Sequence, residues 1–221
     1  MERTVTINIY KMWKNNRFLI FFIFLMVVFR TSLADWNTVP TGSMKPTILE
    51  GDRIWVNKIA YDLKIPFTNI AVKTFSNPQR GDIIIFESKK AAKRLVKRII
   101  GLPGDTVSMS NNIISINGTK LNYQLVEQYP DKLIAEEISA DASYHIQIHQ
   151  HTNNMISNFY PVKIPGNFYL VLGDNRENSA DSRYIGFIPR NEIIGRAQHV
   201  VMSLNYDNYY LPRINRFLQK L

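Results

Sequence analysis

An apolar segment close to the N-terminus places the strongest constraint on how this chain can fold. Phe18–Phe29 contains no polar residue and is bracketed by Arg17 and Arg30. As an α-helix this run is roughly 18 Å long, shorter than the roughly 30 Å hydrocarbon core of a bilayer. Two interpretations fit. The run is either the apolar region of a signal peptide cleaved after Ser32-Leu33-Ala34, or a retained anchor over residues 18–35 whose arginines reach the head groups.

The charges that precede this segment predict its orientation. Basic residues flanking a first membrane segment stay on the cytoplasmic side. Those that precede the run are Arg3, Lys11, Lys14 and Arg17. Residues 1–17 are therefore predicted to be cytoplasmic, and the chain after the segment is predicted to lie across the membrane.

Beyond Trp36 the sequence pattern is mainly that of β-strands. Short runs rich in β-branched and aromatic residues alternate with Gly, Pro and Asn turn signals. Asn117-Gly118 predicts a two-residue type I′ hairpin turn. Outside the apolar segment, helix-period apolar spacing is found only in the tail Leu211–Leu221. The predicted strands are Arg53–Ile59, Asp82–Phe86, Leu95–Ile100, Val107–Met109, Ile113–Ile116, Phe168–Leu172 and Ile193–Ser203.

The composition suggests one main domain with an insertion. With 221 residues the chain is long enough to bury a substantial core. Between Thr106 and Gly166 it becomes richer in Asn, Gln, Ser and His. We therefore predict a main antiparallel β domain over residues 36–105 and 167–221, with a smaller, polar β subdomain inserted over residues 106–166.

Cysteine content and charge exclude several classes of function. The chain has no cysteine, which excludes disulfides, thiolate metal ligands and cysteine nucleophiles. Its formal net charge is +9, but the basic residues are scattered and cluster only in Lys89–Arg98. A nucleic-acid partner is therefore disfavoured, and attraction to anionic lipid head groups is the better explanation.

Ser43 is a candidate nucleophile. It lies in the loop Val39–Thr47, which is rich in Pro and Gly and follows closely behind the apolar segment. A serine hydroxyl is inert at neutral pH without a base. The candidate bases are a lysine or one of the four histidines.

Lys97 stands out among the lysines because it lies in the apolar run Leu95–Ile100 beside Arg98. Burial and a neighbouring cation both lower the pKa of an ammonium group. To act as a base near neutrality, Lys97 needs a pKa roughly 2–3 units below the usual value of about 10.4. The alternative is that Lys97 and Arg98 alternate across an edge strand and face solvent.

His145, His149 and His151 alternate along the sequence and share one strand face. Three such histidines could ligate zinc. No fourth ligand or general-base carboxylate accompanies them at a recognisable spacing. We therefore predict a solvated strand face, with neither a metal site nor a cofactor.

A dense polar loop, Gly173–Arg183, follows the apolar strand Phe168–Leu172. Sites are often assembled in such loops, although a solvated turn has the same composition. Its alternating charges suggest internal ion pairs, either Asp181 with Arg183 or Asp174 with Arg176.

Four separated blocks of this chain, in this order, resemble the type I signal peptidase (leader peptidase) family. They are Val39–Asp52, Arg80–Phe86, Lys97–Asp105 and Gly173–Pro189. The resemblance implies a membrane-bound serine protease with a Ser–Lys dyad on a mainly β fold. Such an enzyme removes signal peptides from exported preproteins after small residues at the −1 and −3 positions. It also implies a retained anchor, a monomer in the bacterial inner membrane, and a catalytic domain on the extracytoplasmic side.

The resemblance further implies roles for individual residues. Ser43 matches the nucleophile and Lys97 its general base. The backbone N–H of Ser43 and the hydroxyl of Thr41 match the oxyanion hole. Many relatives have Ser in place of Thr41, and the hydroxyl donor is kept.

The supporting residues are implied in the same way. Ser179 matches a residue that hydrogen-bonds and orients the Lys97 amine, and Asp181 and Arg183 match residues that hold this loop. The positions matching the shallow substrate pockets are Val39, Pro40, Met44, Ile48, Leu95 and Val96. Leu95 stands where some relatives carry a tyrosine, and no role transfers to the insertion.

Three alternatives remain open at this point. The first is the same fold dedicated to a narrow client, such as a conjugative pilin. The second is the self-cleaving SOS repressor class, which shares a Ser–Lys dyad but would need a DNA-binding helical domain. The third is a membrane module that binds peptides without cleaving them.

Overall fold

The computed structural model describes residues 9–65, 68, 70–150 and 157–221. Helix α1 (Ile9–Ser32) comes first and contains the apolar run. Within the described ranges, its segment Asn15–Ser32 is the one helical stretch long and apolar enough to cross a membrane. Only 6% of that segment is buried inside the protein. The described apolar side chains of this segment therefore face outward instead of packing in a protein core.

Strands make up most of the remaining regular structure, and the second helix, α2 (Ser182–Ile185), is a single turn. In chain order the strands are β1 (Ala34–Thr38), β2 (Asp52–Asn57), β3 (Asp62–Lys64), β4 (Ala71–Thr74), β5 (Ile83–Ser88), β6 (Lys93–Gly101), β7 (Thr106–Ser110), β8 (Ile113–Ile116), β9 (Thr119–Lys120), β10 (Asn122–Gln128), β11 (Lys132–Ile138), β12 (Ser143–His149), β13 (Phe159–Lys163), β14 (Phe168–Leu172), β15 (Ile188–Pro189), β16 (Ile193–Asn205), β17 (Leu211–Pro212) and β18 (Gln219–Lys220).

The main sheet is antiparallel and has the order β1-β2-β16-β5-β6-β14-β15 over the described residues, with β17 and β18 also paired to β16. The long strand β16 bridges β2 and β5, and register shifts along it mark bulges that increase the twist of the sheet. Strand β14 pairs with β6 from Arg98 to Gly101. The stretch Lys93–Lys97 of β6 therefore pairs with β5 on one side and leaves its other edge open.

Strands β7 to β13 form two smaller sheets between β6 and β14. Their orders are β10-β11-β12 and β13-β7-β8-β9. The β8–β9 turn has positive φ at both Asn117 (52°) and Gly118 (83°), which confirms the predicted type I′ turn. The core of these two sheets includes Ile114, Ile146 and Ile164, and it continues into β6 and β14 of the main sheet through Ile100, Leu170 and Leu172.

The core of the main sheet explains the uninterrupted apolar run of β5. Ile83 and Ile85 pack on one face with Ile54 and Met44. Ile84 and Phe86 pack on the other face in a second cluster. A strand covered on both faces needs apolar residues at every position instead of alternation.

All seven predicted strands are present, with end shifts of a few residues. Strand β2 ends at Asn57, before the predicted Ile59, because the Asn57 side chain accepts a hydrogen bond from Ile59 N and starts a 3-10 turn. The helix-period spacing of apolar residues in the tail does not correspond to an α-helix. The tail forms β17, a 3-10 turn and β18, because its backbone pairs with β16.

Candidate active site

The side chains of Ser43 and Lys97 are in contact although the two residues lie on separate elements. Ser43 lies in the loop between β1 and β2, and Lys97 lies on β6. Lys97 Nζ is 2.7 Å from Ser43 Oγ and also donates a hydrogen bond of 2.9 Å to the carbonyl of Val96. This is the geometry in which an amine can take the hydroxyl proton.

The Lys97 amine is buried, and burial changes its acidity. Lys97 is 2% exposed and Arg98 is 5% exposed, which excludes the alternative in which both face solvent on an edge strand. Burial lowers the pKa of Lys97 to about 8, although the charges of Asp181 and Asp174 work in the opposite direction. A substantial fraction of the amine is therefore neutral near physiological pH.

Arg98 points to the other face of β6 and binds the start of the polar loop. Its Nε and Nη2 atoms lie 2.8 and 2.6 Å from the two carboxylate oxygens of Asp174. The ring of Tyr144 stacks 4.1 Å from the guanidinium carbon of Arg98. The predicted pair of Asp174 with Arg176 is therefore wrong, because Asp174 is already held by Arg98.

The polar loop also supports the nucleophile from behind. Asn175 N donates to the Ser43 carbonyl (3.1 Å), and Asn175 Nδ2 donates to the Gly42 carbonyl (3.0 Å). The predicted pair of Asp181 with Arg183 is present, with Nη2 2.7 Å from Oδ2. Asp181 Oδ2 also accepts from the N–H of Gly173 at 3.0 Å, which closes the loop on itself.

Ser179 does not make its predicted contact with Lys97. It is buried, and its hydroxyl has no hydrogen-bond partner in the described part of the chain. Its Oγ lies over Gly173 instead. A Cβ added to that glycine would clash with Ser179 Oγ and with the carbonyl oxygen of Ser43. Gly173 is therefore a site residue whose role the sequence analysis missed. Its position at the junction of an apolar strand and a polar loop could have indicated that role.

A cleft of about 370 Å³ opens in front of the dyad. Of the predicted pocket residues, five line it together with Thr41: Val39, Pro40, Met44, Leu95 and Val96. Ile48 does not line the cleft, because it is fully buried in the core beneath it. Lining residues that the sequence analysis missed are Asn37, Thr38, Ile85, Lys93, Arg94, Asn178 and Ala180.

The histidine-rich strand is β12, and none of its residues lines this cleft. His145 is exposed and His149 is half-buried, and His151 lies outside the described residues. Among the residues that the structure covers, no group of His, Cys, Asp and Glu side chains is arranged to hold a metal ion. That the active site uses neither a metal nor a cofactor stays a prediction.

Comparison with known proteins assigns the family. Residues 12–202 match the family described as signal peptidase, peptidase S26. The chain is 34% identical to a signal peptidase I of Pseudomonas aeruginosa, over 82% of this chain and 69% of that protein. It is 36% identical to a probable signal peptidase I-2 of Synechocystis sp. (79% and 66%) and 34% identical to signal peptidase I P of Bacillus subtilis subsp. natto (83% and 85%).

A solved structure of a signal peptidase I from Enterococcus faecalis is 34% identical, with 56% of this chain and 98% of that chain covered. Its TM-score is 0.36, too low to argue about the fold. The sequence matches define a hydrolase of the serine protease class. The chain belongs to the signal peptidase family, peptidase S26.

Proposed function

We propose that this chain is a membrane-anchored endopeptidase that removes signal peptides from exported preproteins with a Ser43–Lys97 dyad. The observation that carries the proposal is the 2.7 Å contact between a buried lysine amine and a serine hydroxyl in an open cleft. A dedicated peptidase with a narrow client is not favoured, since the relatives are named signal peptidase I.

The reaction follows from the protonation state of the lysine. Neutral Lys97 takes the proton of Ser43 as the hydroxyl attacks the scissile carbonyl, and an acyl-enzyme forms. The Lys97 ammonium then protonates the departing amine. A water molecule deprotonated by the same lysine hydrolyses the ester, which frees the signal peptide and restores Ser43.

The developing oxyanion needs donors, and Thr41 and Ser43 offer two. Neither the Ser43 N–H nor the Thr41 hydroxyl has a hydrogen-bond partner within the described residues, so both are free for a substrate. Loss of one good donor of this kind costs roughly 3–4 kcal/mol of transition-state stabilisation.

The cleft suits an extended substrate. The open edge of Lys93–Lys97 can pair with a peptide backbone, which accepts many unrelated sequences. Apolar side chains from Met44, Ile85, Leu95 and Val96 line the same cleft. Only small side chains at −1 and −3 need to enter these shallow pockets.

Residues 36–105 and 167–221 are the catalytic domain in this proposal, and residues 106–166 are its inserted subdomain. Helix α1 is the anchor, with residues 1–17 in the cytoplasm and the catalytic domain outside the bacterial inner membrane. The enzyme works as a monomer in contact with lipid and binds no nucleic acid. Bilayer anchoring supports cleavage of substrates that are themselves embedded in the bilayer.

The test uses purified full-length protein and one labelled preprotein with an Ala-X-Ala cleavage site. We expect cleavage after the second Ala by the parent and no detectable cleavage by Ser43→Ala or Lys97→Ala. Lys163→Ala, an exposed lysine in the insertion, is the matched control and should keep the parent rate. A Ser43→Ala protein that still cleaved at this site would overturn the proposal.

A further inference from the structure

A fully buried ion pair joins the inserted sheets to the loop behind the nucleophile. Arg176 Nη1 and Nη2 lie 2.6 and 2.9 Å from the two carboxylate oxygens of Glu137 on β11. Both side chains are 0% exposed. The hydroxyls of Tyr123 and Tyr144 also donate to Glu137, at 2.7 and 2.6 Å. The carboxylate is therefore held by four donors.

This pair is ionised despite its burial. Burial alone would raise the pKa of Glu137, but the charge of Arg176 and the tyrosine hydrogen bonds hold it below its usual range. Such a pair often contributes little net stability compared with well-packed apolar side chains. Its forked, two-bond geometry does fix the position of Arg176 closely.

Arg176 is connected to the nucleophile through its own backbone. Arg176 N donates to the Gln147 carbonyl (2.9 Å), and Gln147 N donates to the Asp174 carbonyl (2.8 Å). The segment between Asp174 and Arg176 thus lies along β12 as a short parallel bridge. Asn175, at the centre of this bridge, is the residue whose side chain donates to the Gly42 carbonyl.

That last contact bears directly on the oxyanion site. The Gly42 carbonyl and the Ser43 N–H belong to the same planar peptide group, and they point in opposite directions. A hydrogen bond that fixes the carbonyl therefore also fixes the direction of the N–H. The Gly42 carbonyl also accepts from Lys45 N at 3.1 Å, a contact within the same loop. Asn175, held in place through Arg176, supplies the contact from outside the loop and so helps to fix where the Ser43 N–H points.

We propose that Glu137 is a positioning residue for signal-peptide cleavage. Through its ion pair with Arg176 it holds Asn175, and Asn175 orients the Gly42–Ser43 peptide whose N–H stabilises the oxyanion. The inserted subdomain thus completes the active site, although none of its described residues lines the cleft. This inference rests on the proposed function.

The experiment compares Glu137→Gln and Glu137→Asp in the full-length enzyme on the same preprotein. Glu137→Gln keeps the shape and removes the charge, while Glu137→Asp keeps the charge for the buried arginine and shortens the side chain. We expect kcat to fall by about 100-fold in Glu137→Gln, the order of effect of a displacement of roughly 1 Å, and by about 10-fold in Glu137→Asp. KM and the acidic limb of the pH–rate profile should not move, because the cleft and the surroundings of Lys97 are unchanged.

Glu136→Gln is the matched control. Glu136 is the preceding residue of the same strand and accepts a hydrogen bond from the Ser143 hydroxyl at the surface. The kcat of Glu136→Gln should therefore equal that of the parent. Circular dichroism verifies folding. If Glu137→Gln does not fold, the kcat of Glu137→Asp alone tests the inference. Parent kcat in a folded Glu137 variant, a raised KM or a shifted pH limb would overturn the inference. If the parent itself did not cleave, the proposed function would fail instead.

Discussion

The position of Lys97 in the fold changes the acidity of its side chain. Two aspartates near it favour the charged amine, yet burial outweighs them and brings its pKa to about 8. The amine nevertheless stays within hydrogen-bond distance of Ser43. An exposed lysine at the same distance would be almost fully protonated at neutral pH and could not accept a proton.

This environment predicts the pH dependence of cleavage. Lys97 is mainly protonated below about pH 8 and mainly neutral above it. Because only the neutral amine can act as a base, kcat/KM should rise with pH and reach half its plateau at about pH 8. A peptide substrate without groups that titrate between pH 6 and 10 isolates the enzyme's contribution. A rate that rises only near the ordinary lysine pKa of about 10.4 would show that the pKa of Lys97 is not lowered.

Gly173 is a second residue whose role comes from close approach. A methyl group there would collide with Ser179 Oγ and with the backbone carbonyl of Ser43. We expect Gly173→Ala to lose most activity and to lower the free energy of unfolding by roughly 1–3 kcal/mol, the usual cost of overpacking. Gly166→Ala is the control, since an added methyl group meets nothing within 4 Å there. Activity assays and urea unfolding measure the two effects, and parent activity in Gly173→Ala would contradict the steric argument.

The segment between β1 and β2 serves two purposes along its length. Val39 and Met44 pack in the core and also line the cleft, whereas Ile48 packs only in the core. The apolar character of all three is visible in the sequence, but their exposure to substrate is not. It depends on which way the loop turns after Ser43.

Ile48→Val tests this division. Removing one buried methylene should lower the free energy of unfolding by roughly 0.5–1.5 kcal/mol. The preference for small residues at −1 and −3 should be unchanged, because Ile48 does not line the cleft. Denaturant unfolding and cleavage of a substrate series varied at −1 and −3 measure the two quantities. An altered preference would place Ile48 in a substrate pocket after all.

At the scale of the whole molecule, the proposed membrane topology can be tested directly because the chain has no cysteine. Tyr160→Cys places a single thiol at a position that is 93% exposed in the inserted subdomain, and Asn15→Cys places one at the start of the candidate span. A membrane-impermeant maleimide added to intact spheroplasts should label Tyr160→Cys only. Asn15→Cys should react only after permeabilisation, and the reverse pattern would invert the orientation.

Local patterns were sufficient to predict several features of this protein. The apolar run, the strands and the Asn117-Gly118 turn depend on residues near one another in sequence, whose spacing reflects burial and backbone geometry. The Ser43 and Lys97 candidates came from the same reasoning, namely a loop serine and a lysine in an apolar strand. The order of the four blocks then indicated the family.

Tertiary structure alone decided which charged groups pair over long sequence distances, whereas the local pair Asp181–Arg183 was predicted from the sequence. Arg98 and Asp174 are 76 residues apart, and Arg176 and Glu137 are 39 residues apart, yet each pair is held at hydrogen-bond distance. Neighbouring charges in the sequence suggested Asp174 with Arg176 instead. Strand register and the path of the polar loop determine these partners, and both depend on contacts summed over the entire core. The sequence by itself therefore determined the strands and the candidate residues Ser43 and Lys97, whereas only the folded chain determined what surrounds and orients them.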